Sequence, residues 1–377
     1  MHWEPLRSSP TFALRRHSRF VIADLIGAHR VLSTSARNGG QVEGVGHVIN
    51  HQSCEGAGHA SRFEVITKDG QEAYHDVVCA EVGVDPERAV VMGTAANVNY
   101  TAIHTASDLD VEVTAVVTAG VQTNAVCGGD PAAWRETPDG TVTVPPVAGT
   151  INTALLVNVP VSAAALARMA VTMTEGKTAA LQRLAVPSCY SPDLATGTGT
   201  DQYCIAAPIE GRTPLTSASP HMKFGEIIGV AVREATLEAL RWQNGLEASL
   251  TRGIFHALGR YGVKEATLLD DIAPLLDAAD LELLRRNSKS AFFEPAVAAA
   301  AFALAAVADR ARHGTLPSGV VADAMVSQAA TLASGLAARP GEWPRYRSHL
   351  HAGDVSSVKV LALRALALGW SDKWRPR

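Results

Sequence analysis

The sequence pattern changes from strand-like to helical near residue 220, and this change limits the folds that the chain can adopt. Before that point, short β-branched runs alternate with turns rich in glycine and asparagine, a pattern typical of strands. Beyond it the strand signals stop and apolar residues recur at helical spacing. The predicted strands are Phe20–Leu25, Arg30–Ser35, His47–His51, Ala89–Thr94, Val111–Ala119, Ile151–Val159 and Tyr203–Ala207. The helices predicted after residue 220 lie at 222–243, 247–260, 265–287, 291–313, 318–337 and 354–369.

Two further helices are predicted among the strands, at 71–82 and 162–185, and a group of prolines at 208, 214 and 220 marks the change of character. We therefore predict an α+β fold, with a mixed sheet packed with helices in residues 1–220. An all-helical region follows in residues 221–377. This region either completes the core of the first part or forms an interface, and a homodimer is the partner expected in the second case.

Composition narrows the classes of partner. A net charge of -4 offers no broad basic field to a nucleic acid, and aromatic residues at 5% leave few platforms for base stacking. The longest apolar stretch, Pro295–Ala308, is too short to span a bilayer. The charged N-terminal residues do not fit a secretory signal, and five scattered cysteines without a Cys-x-x-Cys pair fit a reducing cytosol. We expect a cytoplasmic protein that binds neither nucleic acid nor membrane.

The stretch Ala195–Asp201 reads Ala-Thr-Gly-Thr-Gly-Thr-Asp and is typical of a loop around a polar ligand. Its glycines permit backbone conformations that a Cβ would block, and its hydroxyls and carboxylate are concentrated in one short segment. It lacks the lysine of a Walker loop and the third glycine of a dinucleotide fingerprint. Its amides and hydroxyls remain suited to an anion or an oxyanion.

The helix predicted after Ser162 carries a lysine on its apolar stripe. Lys177 lies four residues after Met173 and four before Leu181, so it shares their face. Such a lysine must reach solvent, pair with an acid or point into a ligand cavity. Glu175 lies on a different face of the same helix.

Histidines are concentrated between residues 47 and 75, which favours general acid/base work or metal ligation. His47 and His51 lie about 13 Å apart along a strand, too far to share a metal unless the strand bends. His51 and His59 are the candidate metal ligands, but they lack a recognised spacing. Hydrogen-bonded structural histidines are the alternative for at least half of this group.

Polar residues also gather at predicted strand ends, where α/β proteins usually place their sites. The segment Thr118–Asn124 leaves one strand, and Gly149–Thr153 enters the next. A third segment, Asn38–Gly40, reads as a tight turn after the strand at 30–35.

Taken in order, these segments resemble the CbiZ family of adenosylcobinamide amidohydrolases over about residues 30–245. The segments that carry the resemblance are Leu32–Ser35 with Asn38–Gly40, Val48–Gln52, Val113–Gly120, Gly149–Thr153, Thr174–Leu181, Ala195–Asp201 and His221–Gly229. The helical remainder from about residue 250 looks like the extension of longer members.

The resemblance implies hydrolysis of the amide that joins the aminopropanol arm to the corrin ring of adenosylcobinamide. The product is adenosylcobyric acid, which re-enters cobalamin synthesis, so the expected role is corrinoid salvage. The corrinoid is the substrate, no cofactor is certain, and a divalent metal stays open. The alternatives are an amidohydrolase of the same fold with another substrate, and a non-catalytic corrinoid-binding protein.

Two catalytic schemes follow from the residues themselves. In the first, His51, or else His59, acts as base toward water, and Asp201 orients that base or binds the aminopropanol hydroxyl. The backbone amides of Gly197–Thr200, with Asn38 and Lys177, stabilise the oxyanion, and Glu175 is a reserve acid. In the second, Thr150 or Thr153 is a nucleophile that Lys177 activates, because some amidohydrolases expose a threonine by self-cleavage after glycine. The substrate-binding residues predicted are Asn38, Gly39, Asn50, Thr150, Asn152, Gly197, Thr198, Gly199 and Thr200.

Overall fold

Every strand run predicted in the first part forms a strand, and further strands accompany them. The computed structural model describes residues 2–54, 63–132, 135–137, 140–142, 149–351 and 357–375. The strands in these residues are β1 (Glu4–Ser8), β2 (Phe12–His17), β3 (Phe20–Leu25), β4 (His29–Ser33), β5 (Gly40–Glu43), β6 (His47–Gln52), β7 (Ala89–Thr94), β8 (Ala102–Asp108), β9 (Val111–Ala119), β10 (Ala125–Val126), β11 (Arg135–Thr137), β12 (Gly140–Val142), β13 (Ile151–Val157), β14 (Gly197–Thr198) and β15 (Gln202–Pro208).

Two large sheets organise these strands. Sheet A has the order β1-β2-β3-β6-β7, and sheet B has the order β5-β4-β15-β13-β9-β8. Both sheets are mixed, since β6 pairs with β7 and β13 pairs with β15 in parallel, while the other neighbours are antiparallel. The helices of the same part are α1 (Phe63–Val82), α2 (Ala163–Arg183) and α3 (Lys223–Asn244).

The helices and the two sheets of this part stack in four layers. Val48 of β6 packs between the two sheets, whereas its neighbour Ile49 packs against α1 on the outer face of sheet A. On β13, Ala154 faces the space between the sheets and Leu155 faces α2 and α3. Because successive side chains point to opposite faces of a strand, each sheet is buried on both sides. The order of layers is therefore α1, sheet A, sheet B, then α2 with α3.

Helix α2 begins as the sequence predicts. The Ser162 hydroxyl accepts a hydrogen bond from the Ala165 amide at 3.1 Å, which caps the first turn. Leu166, Met173 and Leu181 of the predicted stripe are buried against sheet B. The stripe thus fixes which face of α2 meets the sheet.

The chain divides into two compact units, Met1–Leu246 and Glu247–Arg377. The boundary follows α3, which the change of character near residue 220 assigns to the helical part. Ile228 and Val232 of α3 are fully buried in the core that α3 shares with sheet B. Helical periodicity marks α3 as a helix but does not tell which core its apolar face joins.

In the second unit, residues 247–351 and 357–375 hold helices and no strands, so the predicted fold class is confirmed. Two of the predicted helices are broken, because Gly253 separates α4 from α5 and Pro274 interrupts the run 265–287. The helices are α4 (Ala248–Thr251), α5 (Ile254–Leu258), α6 (Leu268–Ile272), α7 (Ala278–Phe292), α8 (Pro295–Arg312), α9 (Ser318–Ala337), α10 (Trp343–His349) and α11 (Val358–Lys373).

Helix α9 is long and apolar enough, by length and composition, to cross a membrane. Half of the apolar window of this helix is buried inside the protein. Ala329, Leu332 and Leu336 belong to the core that α9 shares with α8 and α11. Packing within the unit therefore accounts for its apolar character.

A buried ion pair in the second unit predicts a pH-dependent stability. The guanidinium of Arg260, 7% exposed, donates two hydrogen bonds to Asp309 at 2.5 and 2.6 Å, and the Tyr261 hydroxyl donates a third. Burial raises the pKa of Asp309, but these donors outweigh it and hold the pKa below its usual value. Asp309→Asn removes the charge that accepts these hydrogen bonds from the largely buried guanidinium, so we expect a loss of about 3 kcal/mol.

The stability lost in Asp309→Asn should become smaller as the pH falls. A lowered carboxyl pKa contributes stability above the unfolded value near 4, and that contribution is lost as pH falls through the folded pKa. Thermal unfolding followed by circular dichroism from pH 7 to pH 3 should show the gap between wild type and Asp309→Asn closing at low pH. A gap that stays constant or widens on acidification would rule out the charge of Asp309 as its cause.

Candidate active site

The loop Thr196–Asp201 lies at the end of sheet B where the central strands β13 and β15 begin. We call this end of the sheet, with the loop and Thr150, the polar edge. Strands β13 and β15 run parallel, with Asn152 opposite Gln202, so the residues just before the two strands meet at this edge. The Thr178 hydroxyl of α2 donates to the carbonyl of Thr196 at 3.0 Å and fastens the loop to the helix. The parallel register therefore brings Thr150 and Asp201, distant in sequence, to one place.

The carboxylate of Asp201 organises this edge. Its Oδ1 accepts hydrogen bonds from the Ile151 amide at 3.0 Å and from the Thr198 hydroxyl at 2.5 Å. Its Oδ2 accepts from the Thr198 amide at 3.1 Å and from the ammonium of Lys177. Asp201 thus ties together the loop, the first residue of β13 and helix α2.

Lys177 lies on the apolar stripe of α2, and its ammonium group pairs with Asp201. The side chains of the two residues are 15% and 19% exposed, so the pair is largely withdrawn from water yet reachable from it. A charge pair at this depth interacts more strongly than one on the surface. Of the alternatives for Lys177, the structure selects the ion pair, and the pair lines a recess as well.

Gly197 is required by the close approach of this ion pair to the loop backbone. A Cβ at position 197 would lie 2.5 Å from Asp201 Oδ2 and 2.7 Å from Lys177 Nζ. The second glycine, Gly199, borders the side chain of Asn124 in the same way, at 3.1 Å. The alternation of threonine and glycine in the loop therefore has a steric cause.

A pair of hydrogen-bond donors surrounds the carbonyl oxygen of Gly149, immediately before Thr150. Asn124 Nδ2 donates to this oxygen at 2.9 Å, and the Thr200 hydroxyl donates at 2.7 Å. The hydroxyl of Tyr190 donates to Asn124 Oδ1 at 3.0 Å, which turns the NH2 group of Asn124 toward Gly149. Two convergent donors on one carbonyl oxygen are the arrangement that stabilises an oxyanion in acyl transfer.

The hydroxyl of Thr150 lies beside this donor pair. It donates to the Thr200 carbonyl at 2.6 Å and lies 3.3 Å from Asn152 Oδ1. The Thr150 side chain is buried, and the next amide, that of Ile151, is held by Asp201. The donor pair and the Lys177–Asp201 pair therefore contact the peptide units on the two sides of Thr150.

Asn152 and Asn50, both predicted to bind substrate, are buried in a polar chain between the sheets. Asn152 Nδ2 donates to Asn50 Oδ1 at 2.9 Å and to the Gly93 carbonyl at 3.0 Å. Asn50 Nδ2 donates in turn to the Thr118 hydroxyl at 2.9 Å. These amides join sheet A to sheet B and hold Asn152 Oδ1 at 3.3 Å from the Thr150 hydroxyl. The side chains of Asn50 and Asn152 are both buried.

His51, the base of the first scheme, is not brought to the loop. Its side chain points from β6 toward α1, where it is fully buried between the rings of Phe20 and Tyr74, with centroids 4.6 and 5.7 Å away. The Tyr74 hydroxyl lies 2.7 Å from His51 Nδ1. Sheet A separates this ring from Asp201, because residues at odd positions of β6 face α1. The expectation that His51 and Asp201 act together is corrected by this placement.

The metal candidates do not form a centre in the part of the chain that the structure describes. His59 lies outside the described residues. Among the described residues, no group of three or more histidine, cysteine, aspartate or glutamate side chains is arranged to hold a metal ion.

The turn residues Asn38 and Gly39 follow β4, which pairs with β15 directly after the loop Thr196–Asp201. Asn38, at φ 57°, donates from Nδ2 to the carbonyls of Pro86 and Ala89, at 3.0 and 2.8 Å. A Cβ at Gly39 would lie 2.2 Å from the Ser35 carbonyl oxygen. These contacts give both residues a structural role, and their substrate-binding role stays a prediction. Glu175 is exposed on α2 and is not among the contacts of Asp201.

The shifted pKa values of buried thiols and imidazoles in the first unit reflect burial. Burial raises the pKa of Cys79 to about 12, and it also raises the pKa of Cys204. Burial likewise lowers the pKa of His75, whose Nε2 lies 3.0 Å from the Pro86 carbonyl oxygen. At neutral pH these two cysteines stay thiols, which are weak nucleophiles.

The first unit contains a small and a larger cavity. The smaller one adjoins the Lys177–Asp201 pair and leaves about 30 Å³ of free space, enough for one water or one small group. Its lining is Ile151, Thr153, Met173, Thr174, Lys177, Asp201, Gln202 and Tyr203. The larger cavity measures about 630 Å³, the size of a small-molecule site. Its lining is Ser18, Arg19, Gln52, Ala95, Asn97, Asn99, Tyr100 and Gln243.

Gly120 lies between Gln243, in the lining of the larger cavity, and Gly149. A Cβ at Gly120 would touch Ala96 and Gln243 at 3.8 Å, and a Cβ at Gly149 would lie 3.3 Å from the Gly120 carbonyl oxygen. Asn124, which belongs to the donor pair, and Tyr190, which orients it, are absent from the residues predicted to bind substrate. Asn124 ends the Thr118–Asn124 segment, so its position after a strand was the available signal, whereas nothing in the sequence singles out Tyr190.

A threonine, a lysine–aspartate pair and an oxyanion-type donor pair at one end of sheet B are groups that a hydrolase acting on a carbonyl compound can use. The chain belongs to the CbiZ family of adenosylcobinamide amidohydrolases, whose family model matches residues 6–248. It is therefore a C–N hydrolase of corrinoid salvage, and its substrate is a corrinoid.

A curated relative comes from Methanocaldococcus jannaschii and is described as an uncharacterized protein. The two sequences are 32% identical over 183 residues, which cover 46% of this chain and 71% of the relative. The family match ends close to the boundary of the first unit, which holds every part of the polar edge.

Proposed function

We propose that the amide between the aminopropanol arm and the corrin ring of adenosylcobinamide is hydrolysed at the edge where β13 begins, with Thr150 as the nucleophile. The observation that carries this proposal is the donor pair of Asn124 Nδ2 and Thr200 Oγ1, at 2.9 and 2.7 Å from one carbonyl oxygen beside the Thr150 hydroxyl. Amide hydrolysis needs a nucleophile, donors for the developing oxyanion and a proton for the leaving amine. The products are adenosylcobyric acid and aminopropanol.

Lys177 supplies the positive charge of the site. Its ammonium is paired with Asp201, which also holds the Ile151 amide directly after Thr150. A largely buried cation near a forming oxyanion stabilises the transition state more than it would in water. Thr153, the other threonine of the second scheme, lines the small recess with Lys177 and is the alternative nucleophile.

The corrin ring is assigned to the larger cavity. Corrin rings carry several carboxamide arms, and the cavity lining offers the carboxamide side chains of Gln52, Asn97, Asn99 and Gln243. Carboxamides both donate and accept hydrogen bonds, so the two sets are complementary. Its volume of about 630 Å³ suits a ring system that remains partly in solvent.

Steady-state kinetics with adenosylcobinamide, read by mass spectrometry of adenosylcobyric acid, tests the proposal. We expect Asn124→Ala to lower kcat by about 100- to 1,000-fold with a smaller change in KM, because the lost donor acts mainly on the oxyanion. The matched control is Asn287→Ala, an exposed amide of the second unit, which should keep the wild-type kcat. Wild-type kcat in Asn124→Ala would exclude this donor pair as the oxyanion site.

A further inference from the structure

The donor pair of the proposed site is occupied by the chain's own peptide bond. Both donors, Asn124 Nδ2 and Thr200 Oγ1, bind the carbonyl oxygen of Gly149, and this carbonyl belongs to the peptide bond that precedes Thr150. A substrate carbonyl cannot use these donors while Gly149 holds them. The peptide that blocks the site is also the one attached to the proposed nucleophile.

The backbone at this bond is confined. Gly149 has φ 138°, a conformation that side chains disfavour, and a Cβ there would lie 3.1 Å from Asn124 Cβ and 3.3 Å from Thr123 Oγ1. On the other side, the Thr150 carbonyl accepts from the Gly120 amide at 2.9 Å, and the Ile151 amide donates to Asp201. The carbonyl and the hydroxyl of this dipeptide unit are therefore held together, with the carbonyl polarised by two donors.

We propose that the chain cleaves its own peptide bond between Gly149 and Thr150. The Thr150 Oγ forms a bond to the Gly149 carbonyl carbon, the bond from that carbon to the Thr150 nitrogen breaks, and the hydroxyl proton ends on this nitrogen. The resulting ester is hydrolysed by one water molecule. The products are a carboxylate at Gly149 and a threonine at 150 with a free α-amine and a free hydroxyl.

Cleavage makes the donor pair and Thr150 available to a substrate. It frees Gly149 to leave the donor pair, and it gives Thr150 an α-amine whose ordinary pKa is about 8. Such an amine serves as the base for the threonine's own hydroxyl. This inference rests on the proposed function, because the same hydroxyl and the same donors serve both reactions.

The two fragments should stay together. Strand β13 follows the cleaved bond and pairs with β9 of the first fragment over Ile151–Val157, opposite Val113–Ala119. On its other side β13 pairs with β15, which belongs to the second fragment. A strand held on both sides keeps its place in sheet B after the chain is cut.

Intact-mass spectrometry of the purified full chain, under denaturing conditions and during incubation at neutral pH, tests the inference. We expect two copurifying fragments whose masses sum to that of the 39.6 kDa chain plus one water, the second beginning Thr150-Ile151-Asn152. Thr150→Val should remain one chain, whereas Thr150→Ser, which keeps a hydroxyl, should be cut. Thr105→Val, on β8 of the same sheet, is the matched control and should be cut like wild type.

The outcomes separate this inference from the proposed function. A wild-type chain that stays intact through incubation, with or without hydroxylamine to trap an ester, overturns self-cleavage. If that intact chain hydrolyses adenosylcobinamide, the activity stands, but the donor pair of Asn124 and Thr200 is excluded as its oxyanion site. Cutting of Thr150→Val at the same bond also overturns self-cleavage, because an external protease would then be responsible. Cleaved wild type that leaves adenosylcobinamide unchanged supports self-cleavage and contradicts the proposed function. Circular dichroism of Thr150→Val shows whether its intact chain is folded.

Discussion

Replacing Asp201 by asparagine is expected to lower kcat for adenosylcobinamide by about 100- to 1,000-fold. The carboxylate accepts four hydrogen bonds, from Lys177, the Ile151 amide and both the amide and the hydroxyl of Thr198. An asparagine side chain has one acceptor oxygen, so its NH2 group must face a donor. The change also removes the counter-charge of Lys177 and loosens the start of β13 beside Thr150.

The measurement is kcat and KM for Asp201→Asn, at a temperature where circular dichroism shows a folded protein. Asp110→Asn is the matched control, because it removes a carboxylate from an exposed pair with Arg212, and such pairs contribute little. An Asp201→Asn enzyme with the kcat of Asp110→Asn would show that the carboxylate has no part in the reaction.

Gly197→Ala is expected to reduce kcat by about 100-fold, the effect of misplacing a reacting group by about 1 Å. The new Cβ would lie 2.5 Å from Asp201 Oδ2 and 2.7 Å from Lys177 Nζ, far inside van der Waals contact. The ion pair must therefore separate or move with the loop. No charge and no hydrogen-bonding group is removed, so the loss reports on position alone.

Gly128→Ala serves as the matched glycine control in the same region. Its Cβ would meet only Thr196 Oγ1, at an ordinary 3.6 Å, and its φ is not positive. Comparison of kcat and unfolding temperature between the two variants separates a local shift from general destabilisation. Equal kcat values in the two alanine variants would argue against a tightly positioned Lys177–Asp201 pair.

Much of the fold follows from local pattern. Strands such as β3, β7 and β9 occur at their predicted bounds, because buried β-branched runs between turn residues have few other conformations. Strands β2 and β8 escape prediction, since β2 ends in Leu14-Arg-Arg-His17 and β8 carries polar residues along its length. Neither has the apolar alternation on which a strand prediction depends.

The candidate site follows from sequence only in part. Lys177 on an apolar stripe and the acid that closes the threonine–glycine loop were each predicted, and they form one ion pair. His51 was placed with them because it is near polar residues in sequence, yet it faces α1 across sheet A. Asn124 binds the Gly149 carbonyl and belongs to the proposed site, although its segment carried only a weak signal. The homodimer and the cytoplasmic location stay predictions.

The sequence by itself determined the element types, the polar loop and the family, because each depends on residues close together in the chain. Only the tertiary structure decided that β13 and β15 lie parallel and in register, which brings Thr150 to Asp201. It also decided that Asn124 and Thr200 converge on the Gly149 carbonyl oxygen. Strand pairing and sheet stacking join residues that are distant along the chain, and local pattern carries no information on which distant strands will meet.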